Sequence, residues 1–215
     1  MITTDRRYRQ ATAFVAAALV AGLLAAGTQT AGAQDSAPAT GAAGISPPAI
    51  SDEDRLAQIE QLCREGPPVQ KNWGRSAAQA LITEGWRQVY SGQSEAALDH
   101  FAASMISGQE RPDAYLGMLV AGHLEGYPDA LLEDCFKRAE IGMSNAPELY
   151  TDYGRVLEER GYPEAALMQF EKALSLNPNF VAAHIGAGRT YLALGNAAKA
   201  TEHAKEVERL KQAQQ

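Results

Sequence analysis

The hydrophobic positions that follow residue 51 have the spacing of an amphipathic helix. Leu56, Ile59 and Leu62 lie three residues apart, which places them on one helical face. The preceding sequence Ser-Asp-Glu-Asp at 51–54 resembles a capping box and puts acidic residues in the first turn, where they favour a helix start. Gly-Pro-Pro at 66–68 ends the pattern. The sequence therefore predicts a short leading helix and a connector over 51–77.

From about residue 78 onward, glycines and small or aromatic residues recur with a period of 34. The best copy and the one after it share five such positions: Gly154, Gly161, Ala166, Phe170 and Ala173 recur as Gly188, Gly195, Ala200, Ala204 and Val207. Offsets of 35 and 69 carry the pattern back towards residue 78. Four copies result, at approximately 78–111, 112–146, 147–180 and 181–215.

Each copy is predicted to be two helices joined by a glycine that can take a left-handed backbone. The small residues allow helix axes to approach closely, and the aromatic residues fill the space between pairs. One pair cannot bury its apolar face alone, so neighbouring pairs must stack. We therefore predict an all-α fold, an α-solenoid of stacked antiparallel helix pairs. The junction glycines are Gly92, Gly126, Gly161 and Gly195.

The first 33 residues have the three parts of a secretory signal. Arg6, Arg7 and Arg9 precede an uncharged apolar run at 11–27, and Ala-Gly-Ala at 31–33 fits a cleavage site. The alternative is an uncleaved anchor, but a run of 17 residues is short for a membrane span of about 20. The sequence thus predicts a cleaved signal and a periplasmic or secreted protein.

Residues 34–50 consist mostly of Ala, Gly, Ser, Thr and Pro, without periodicity. Such a segment cannot bury enough apolar surface to offset its ordering entropy. We predict a disordered linker that tethers the leading helix.

Composition and charge exclude several classes of partner. The chain has 46% hydrophobic but only 7% aromatic residues, which disfavours an all-β fold. Its formal charge is −7, and loss of residues 1–33, with three Arg and one Asp, makes it −9. Nucleic acid and anionic lipid both require a basic patch, which the sequence lacks.

Catalytic and metal-binding motifs are absent from the sequence. The four histidines form no His-x-x-x-His pair, and Cys63 and Cys135 are 72 residues apart without a Cys-x-x-Cys. We therefore expect no enzyme activity, no metal and no cofactor. In an oxidising compartment the two cysteines are candidates for a disulfide, and the alternative is two separate buried thiols.

The repeats resemble the tetratricopeptide repeat (TPR) family over roughly residues 78–215. The copy at 147–180 carries the family's aromatic, Gly, Ala and Pro positions: Tyr150, Tyr153-Gly154, Leu157, Gly161-Tyr162, Ala166, Phe170, Ala173 and Asn177-Pro178. The resemblance implies that the first helix of each pair lines a concave groove. The groove residues we select are Trp86, Tyr90, Val120, His123, Arg155 and Arg189.

Two chemistries are expected in that groove. Trp86 and Tyr90 suggest an aromatic platform for a peptide, with core packing as the alternative. Arg155 and Arg189 lie 34 residues apart and can hold a carboxylate. Neighbouring acidic residues, Asp152 and Glu158 or Glu159, are the alternative partners of Arg155, whereas Arg189 has no acid within one turn.

The resemblance implies a scaffold that binds a protein or peptide partner, and export would place it in cell-envelope assembly or secretion. The alternative is a structural subunit that self-associates, or joins a complex, through the apolar side of the terminal helix at 199–211.

Overall fold

The computed structural model describes residues 50–67, 75–105 and 111–213, so the predicted signal and almost all of the predicted linker lie outside the described residues. Within these ranges the chain is helical and has no strand, which confirms the predicted fold class. No helix in them combines the length and apolar character that a membrane crossing requires. The helices are α1 Asp52–Glu65, α2 Arg75–Tyr90, α3 Ser94–Met105, α4 Pro112–Leu124, α5 Asp129–Met143, α6 Pro147–Glu159, α7 Pro163–Leu176, α8 Val181–Ala193 and α9 Ala197–Gln212.

The helices fall into two compact units, which divide at residues 110 and 111. Unit 1 contains α1–α3, and unit 2 contains α4–α9. Consecutive helices pack as pairs: α2 with α3, α4 with α5, α6 with α7, and α8 with α9. The first predicted repeat thus groups with the leading helix, and the other three repeats form unit 2.

In unit 1, α1 begins at the predicted cap and packs against α3. The Ser51 side chain accepts a hydrogen bond from the backbone N–H of Asp54 at 3.2 Å. At the contact with α3, Arg55 is only 5% exposed. Its Nε lies 2.5 Å from Asp99 Oδ1, and its Nη1 lies 2.9 Å from carboxylate oxygens of both Asp52 and Glu95. One buried cation therefore connects α1 to α3.

The turn between the two helices of each pair has the left-handed backbone conformation that its glycine predicts. At Gly161 φ is +83°, and the next N–H, that of Tyr162, donates to the Leu157 carbonyl at 2.9 Å. A residue with a Cβ is strained in this left-handed region, whereas glycine is not. Equivalent positive φ angles occur at Gly92, Gly126 and Gly195.

The core of unit 2 is built where an aromatic ring fits between two glycines. Phe170 on α7 is 1% exposed. A Cβ on Gly154 of α6 would lie 2.9 Å from its ring, and a Cβ on Gly186 of α8 would lie 2.4 Å from it. The two glycines thus let α6 and α8 approach the same ring. In unit 1 a single glycine meets a ring in the same way, because a Cβ on Gly85 would lie 2.7 Å from the ring of Phe101.

Candidate functional site

The first helices of the three pairs in unit 2 form a layer. α4 contacts α6, and α6 contacts α8. No comparable contact joins α5 with α7 or α7 with α9 in the described part of unit 2. Because the first helices are closer together than the second helices, the stack curves towards the side of the first helices. We call the exposed side chains of α4, α6 and α8 the first-helix face.

Large apolar side chains are exposed on α8 of this face. Ile185 is 49% exposed and Leu192 is 61% exposed. They lie four residues before and three residues after Arg189, which places all three on one side of the helix. The side chain of Arg189 is 55% exposed. The surface of α8 is therefore apolar with one cationic group at its centre.

Arg189 is already paired within the chain. Its Nε donates to Glu158 Oε1 at 2.7 Å, and its Nη2 bonds to Glu158 Oε2. The expectation that Arg189 lacks an acidic partner is therefore wrong. Sequence distance along α8 was the wrong criterion, because Glu158 comes from the neighbouring helix α6, 31 residues earlier. A partner carboxylate has to displace Glu158 or use the remaining edge of the guanidinium.

Arg155 follows the alternative that the sequence left open. Its Nη2 donates to Asp152 Oδ1 at 3.2 Å, one turn earlier on α6. Burial raises the pKa of Asp152, and the adjacent Arg155 opposes that shift. The side chain of Arg155 is 37% exposed, so it remains reachable by solvent.

His123 joins the first-helix face to the turn that follows α6. Its Nε2 lies 2.6 Å from Glu159 Oε2, and its Nδ1 accepts from Arg160 Nε at 3.1 Å. Because Nδ1 accepts, the proton of the neutral ring is on Nε2 and is donated to Glu159. Arg160 also donates to Asp129 Oδ1 at 2.8 Å. Sequence reasoning missed Arg160, since nothing in its local pattern shows a contact with residues more than 30 positions away.

Glu158 and Glu159 therefore bond in opposite directions. Glu158 reaches α8 through Arg189, and Glu159 reaches α4 through His123. Adjacent residues on a helix point about 100° apart, which allows α6 to contact both of its neighbours. Most of the polar groups on the first-helix face are thus satisfied within the chain.

Val120 differs from the other predicted groove residues because it is only 2% exposed. All nine residues from Ala114 to Gly122 are buried in α4. A helix that is apolar on every side has no solvent face. We therefore leave Val120 out of the first-helix face, where α4 contributes His123 instead.

In unit 1, Trp86 and Tyr90 lie together on α2. Their ring centroids are 6.1 Å apart, with an interplanar angle of 30°. The Trp86 ring also meets Phe101 edge-on at 5.6 Å, and Phe101 is fully buried. Tyr90 is 84% exposed. Trp86 thus takes part in core packing, while Tyr90 presents an aromatic surface.

Cys63 lies near the end of α1 and Cys135 lies within α5. They are 2% and 0% exposed, and neither is a free thiol. Their pairing with one another would join the two units, and that disulfide stays a prediction.

The terminal helix has a polar outer side. Its apolar residues Ala200, Val207 and Leu210 are buried. The exposed residues along its open side are mostly polar or charged: Thr201, Lys205, Glu208, Arg209 and Gln212. Its large apolar residues therefore pack within unit 2, and self-association through this helix stays a prediction.

No cluster of three or more His, Cys, Asp or Glu side chains in the ranges 50–67, 75–105 and 111–213 is arranged to hold a metal ion.

Known proteins similar to this chain point to one repeat family. Residues 145–214 match the family model described as tetratricopeptide repeat. Human tetratricopeptide repeat protein 6 is 27% identical over 112 residues, which are 52% of this chain and 21% of the human protein. The chain thus spans about a fifth of the length of that curated relative.

Solved structures with a similar fold include PilF of Pseudomonas aeruginosa, with a TM-score of 0.58 and 22% identity over 64% of this chain and 62% of PilF. A MamA structure has a TM-score of 0.54 and 19% identity, and covers 76% of this chain and 90% of MamA. YrrB, described as a TPR protein with an unusual peptide-binding site, has a TM-score of 0.50 and 26% identity over 63% of this chain and 69% of YrrB. The fold class is therefore that of an all-α TPR-type solenoid, and residues 145–214 match the tetratricopeptide repeat family model.

Proposed function

We propose that this protein is a scaffold that binds a protein or peptide segment on the first-helix face of unit 2. The observation that carries the proposal is the exposure of Ile185 and Leu192 on either side of Arg189. The TPR-type fold and the likeness to YrrB, a TPR protein with a peptide-binding site, support it.

Apolar contact supplies the main attraction in this proposal. Ile185 is 49% exposed and Leu192 is 61% exposed, so the fold leaves both side chains largely uncovered. Covering one large aliphatic side chain contributes about 1.5–3 kcal/mol when it becomes fully buried. The partner therefore presents at least two apolar side chains, spaced to meet positions one helical turn before and after Arg189.

Charge supplies orientation rather than most of the affinity. Arg189 and His123 each bond to a carboxylate of α6. A partner acid gains little by displacing Glu158, because one ion pair replaces another. Polar groups of the partner can contact the edge of the Arg189 guanidinium that does not face Glu158. They can also contact Arg155, which is partly exposed.

Export and a role in the cell envelope belong to the same proposal. They are supported by the sequence of residues 1–33, with its three arginines, uncharged apolar run and Ala-Gly-Ala site. In this view the protein acts in the periplasm or outside the cell, without catalysis and without a cofactor. Assembly or secretion is the kind of process it serves.

Site-specific photo-crosslinking tests the binding face. A photoreactive amino acid replaces Ile185 in one variant and Leu192 in another, and crosslinked proteins are identified by mass spectrometry. We expect the same partner from both positions. Met168 is the matched control, because it is apolar and 67% exposed but lies on the second helix α7.

The companion variants are Ile185→Asp and Leu192→Asp, which place a charge where the partner's apolar groups would lie. They should retain the wild-type melting curve and lose the crosslinked partner, whereas Met168→Asp should retain both. A partner that crosslinks from position 168 and not from 185 or 192 would show that the second helices form the binding surface.

A further inference from the structure

Two histidines from different helices meet between α8 and α9. His184 Nδ1 lies 2.9 Å from His203 Nδ1, and the ring centroids are 5.2 Å apart. Both side chains are half-buried, so solvent and small ions can reach them. Neither residue takes part in the proposed partner contacts at Ile185, Arg189 and Leu192.

Close packing of the two helices creates this meeting. Gly188 lies one turn after His184, and a Cβ at that glycine would be 3.4 Å from the Cβ of His203. The two helices are therefore close to ordinary van der Waals contact at this position. The Tyr191 ring also stacks on the His203 ring, with centroids 5.5 Å apart and an interplanar angle of 20°. The ring of His203 is thus held in place.

The hydrogen bonds determine which nitrogen of His184 is available. His184 Nε2 lies 2.9 Å from the Pro178 carbonyl oxygen, so Nε2 carries a proton and donates it. In the neutral ring Nδ1 is then an acceptor, and it receives the Nδ1–H of His203. An imidazole oriented by a backbone carbonyl, with its other nitrogen free of a proton, is the usual state of a metal-bound histidine.

We propose that His184 and His203 bind one divalent late transition-metal ion, Cu²⁺ in preference to Zn²⁺, through their two Nδ1 atoms. The ion replaces the hydrogen bond between the rings, and the proton of His203 moves from Nδ1 to Nε2, so the two neutral rings lose no proton overall. Water completes the coordination sphere, since the site supplies two protein ligands.

The spacing of the two nitrogens is compatible with copper. Metal–nitrogen bonds of about 2.05 Å at a right angle separate the two nitrogens by about 2.9 Å, as in the square-planar or tetragonal sites of Cu²⁺ and Ni²⁺. The tetrahedral angle of Zn²⁺ sites would separate them by about 3.3 Å. The observed 2.9 Å is the length of the hydrogen bond between the rings, and it is compatible with the first geometry. Copper is also the divalent ion that imidazole ligands bind most tightly.

Surrounding charges are compatible with a dication. The negative charges of Glu171 and Glu202 act on His203, and Lys199 opposes them. Glu206 also lies near His184, and its carboxylate is bonded to Arg209 at 3.0 Å. The acidic groups near the pair thus outnumber the cationic ones.

Copper titration of the full chain without an affinity tag tests the proposal. A chelating dye competes for Cu²⁺ at a pH above about 7, where free imidazole is neutral. We expect one ion per chain, and affinity lower by about tenfold or more in both His184→Gln and His203→Gln. His123→Gln is the matched control and should bind copper as the wild type does, because His123 lies in the separate network with Glu159 and Arg160.

Electron paramagnetic resonance of the wild-type copper complex keeps the test independent of whether the variants fold. The proposal expects hyperfine coupling to two imidazole nitrogens. Absence of stoichiometric binding, coupling to fewer than two imidazoles, or equal affinity in the wild type and both glutamine variants would overturn it.

Discussion

Phe170 shows how single residues determine the spacing of helices in unit 2. The ring is 1% exposed and lies between Gly154 and Gly186. We predict that Gly186→Ala destabilises the protein by about 1–3 kcal/mol. The Cβ of the new alanine would lie 2.4 Å from the buried Phe170 ring. The free energy of unfolding in urea measures the effect.

Gly188→Ala is the control two positions further along α8. A Cβ there meets its nearest neighbour at 3.4 Å, and alanine has the higher helix propensity by about 1 kcal/mol. The control should therefore be neutral or stabilising. If both alanine variants were equally stable, the close fit around Phe170 would not determine helix spacing.

Arg189 illustrates a pair between neighbouring repeats. Its partner Glu158 has a side chain only 13% exposed, whereas Arg189 is 55% exposed. We predict that Arg189→Ala costs about 1 kcal/mol, at the upper end for partly exposed ion pairs, because a mostly buried carboxylate loses its bidentate partner. Chemical denaturation of the single variants and of the double variant with Glu158→Gln gives the coupling energy. Fully additive effects would argue against a pair that contributes to stability.

His203 should make stability depend on pH. Burial lowers the pKa of His203 below its ordinary value, and the neighbouring His184 acts in the same direction. The unfolded chain therefore binds the proton more readily as pH falls below about 6.5, and the free energy of unfolding declines there. The stability that depends on a neutral His203 is fully present above about pH 6.5. It is lost as pH falls through the lower pKa that His203 has in the folded state.

We expect wild type to lose more stability on acidification than His203→Gln does, in urea denaturation at a series of pH values with a metal chelator present. Parallel curves for the two proteins would show that another group is responsible.

At the scale of elements, one cation contributes to the packing of α1 against α3. Arg55 is 5% exposed and meets three carboxylates, and its strongest contact, Asp99, is on α3. Arg55→Met leaves Asp99 without its partner in a largely buried place, which should cost about 3 kcal/mol and release α1 from α3. Hydrogen exchange measures the release as faster exchange in α1, with α6–α9 unchanged.

The control is Arg87→Met on α2, where the arginine side chain is 63% exposed and pairs with Glu84 in its own helix. It should leave the stability close to that of the wild type, because an exposed ion pair contributes little. Slow exchange in α1 of the Arg55 variant would mean that other contacts, such as apolar packing or the predicted disulfide of Cys63, hold the helix.

Local patterns were the part of the fold that the sequence could predict. The cap at Ser51 and the turn at Gly161 depend on residues a few positions apart, and both have the expected geometry. The burial of Val120 and the ion pair of Arg189 depend instead on contacts with neighbouring helices. Burial on all sides of α4 and the approach of Glu158 from α6 are consequences of packing, so no pattern within one helix shows them.

At the scale of the whole chain, the N-terminal prediction concerns processing. Signal cleavage after Ala33 would leave Gln34 as the first residue of the exported protein. Intact-mass spectrometry of protein recovered from the exporting compartment should give the mass of the chain from Gln34. A protein in the membrane fraction that still begins with Met1 would contradict cleavage.

The stacked pairs of unit 2 also bear on how it folds. Its helices pack only against helices one or two places away in the chain, among the contacts of the described residues. Contacts so close in sequence need little loop-closure entropy, and proteins of low relative contact order fold fast. Nucleation can therefore begin at any pair and spread to its neighbours, so damage to one pair, such as a residue forced against Phe170, lowers the stability of adjacent pairs first.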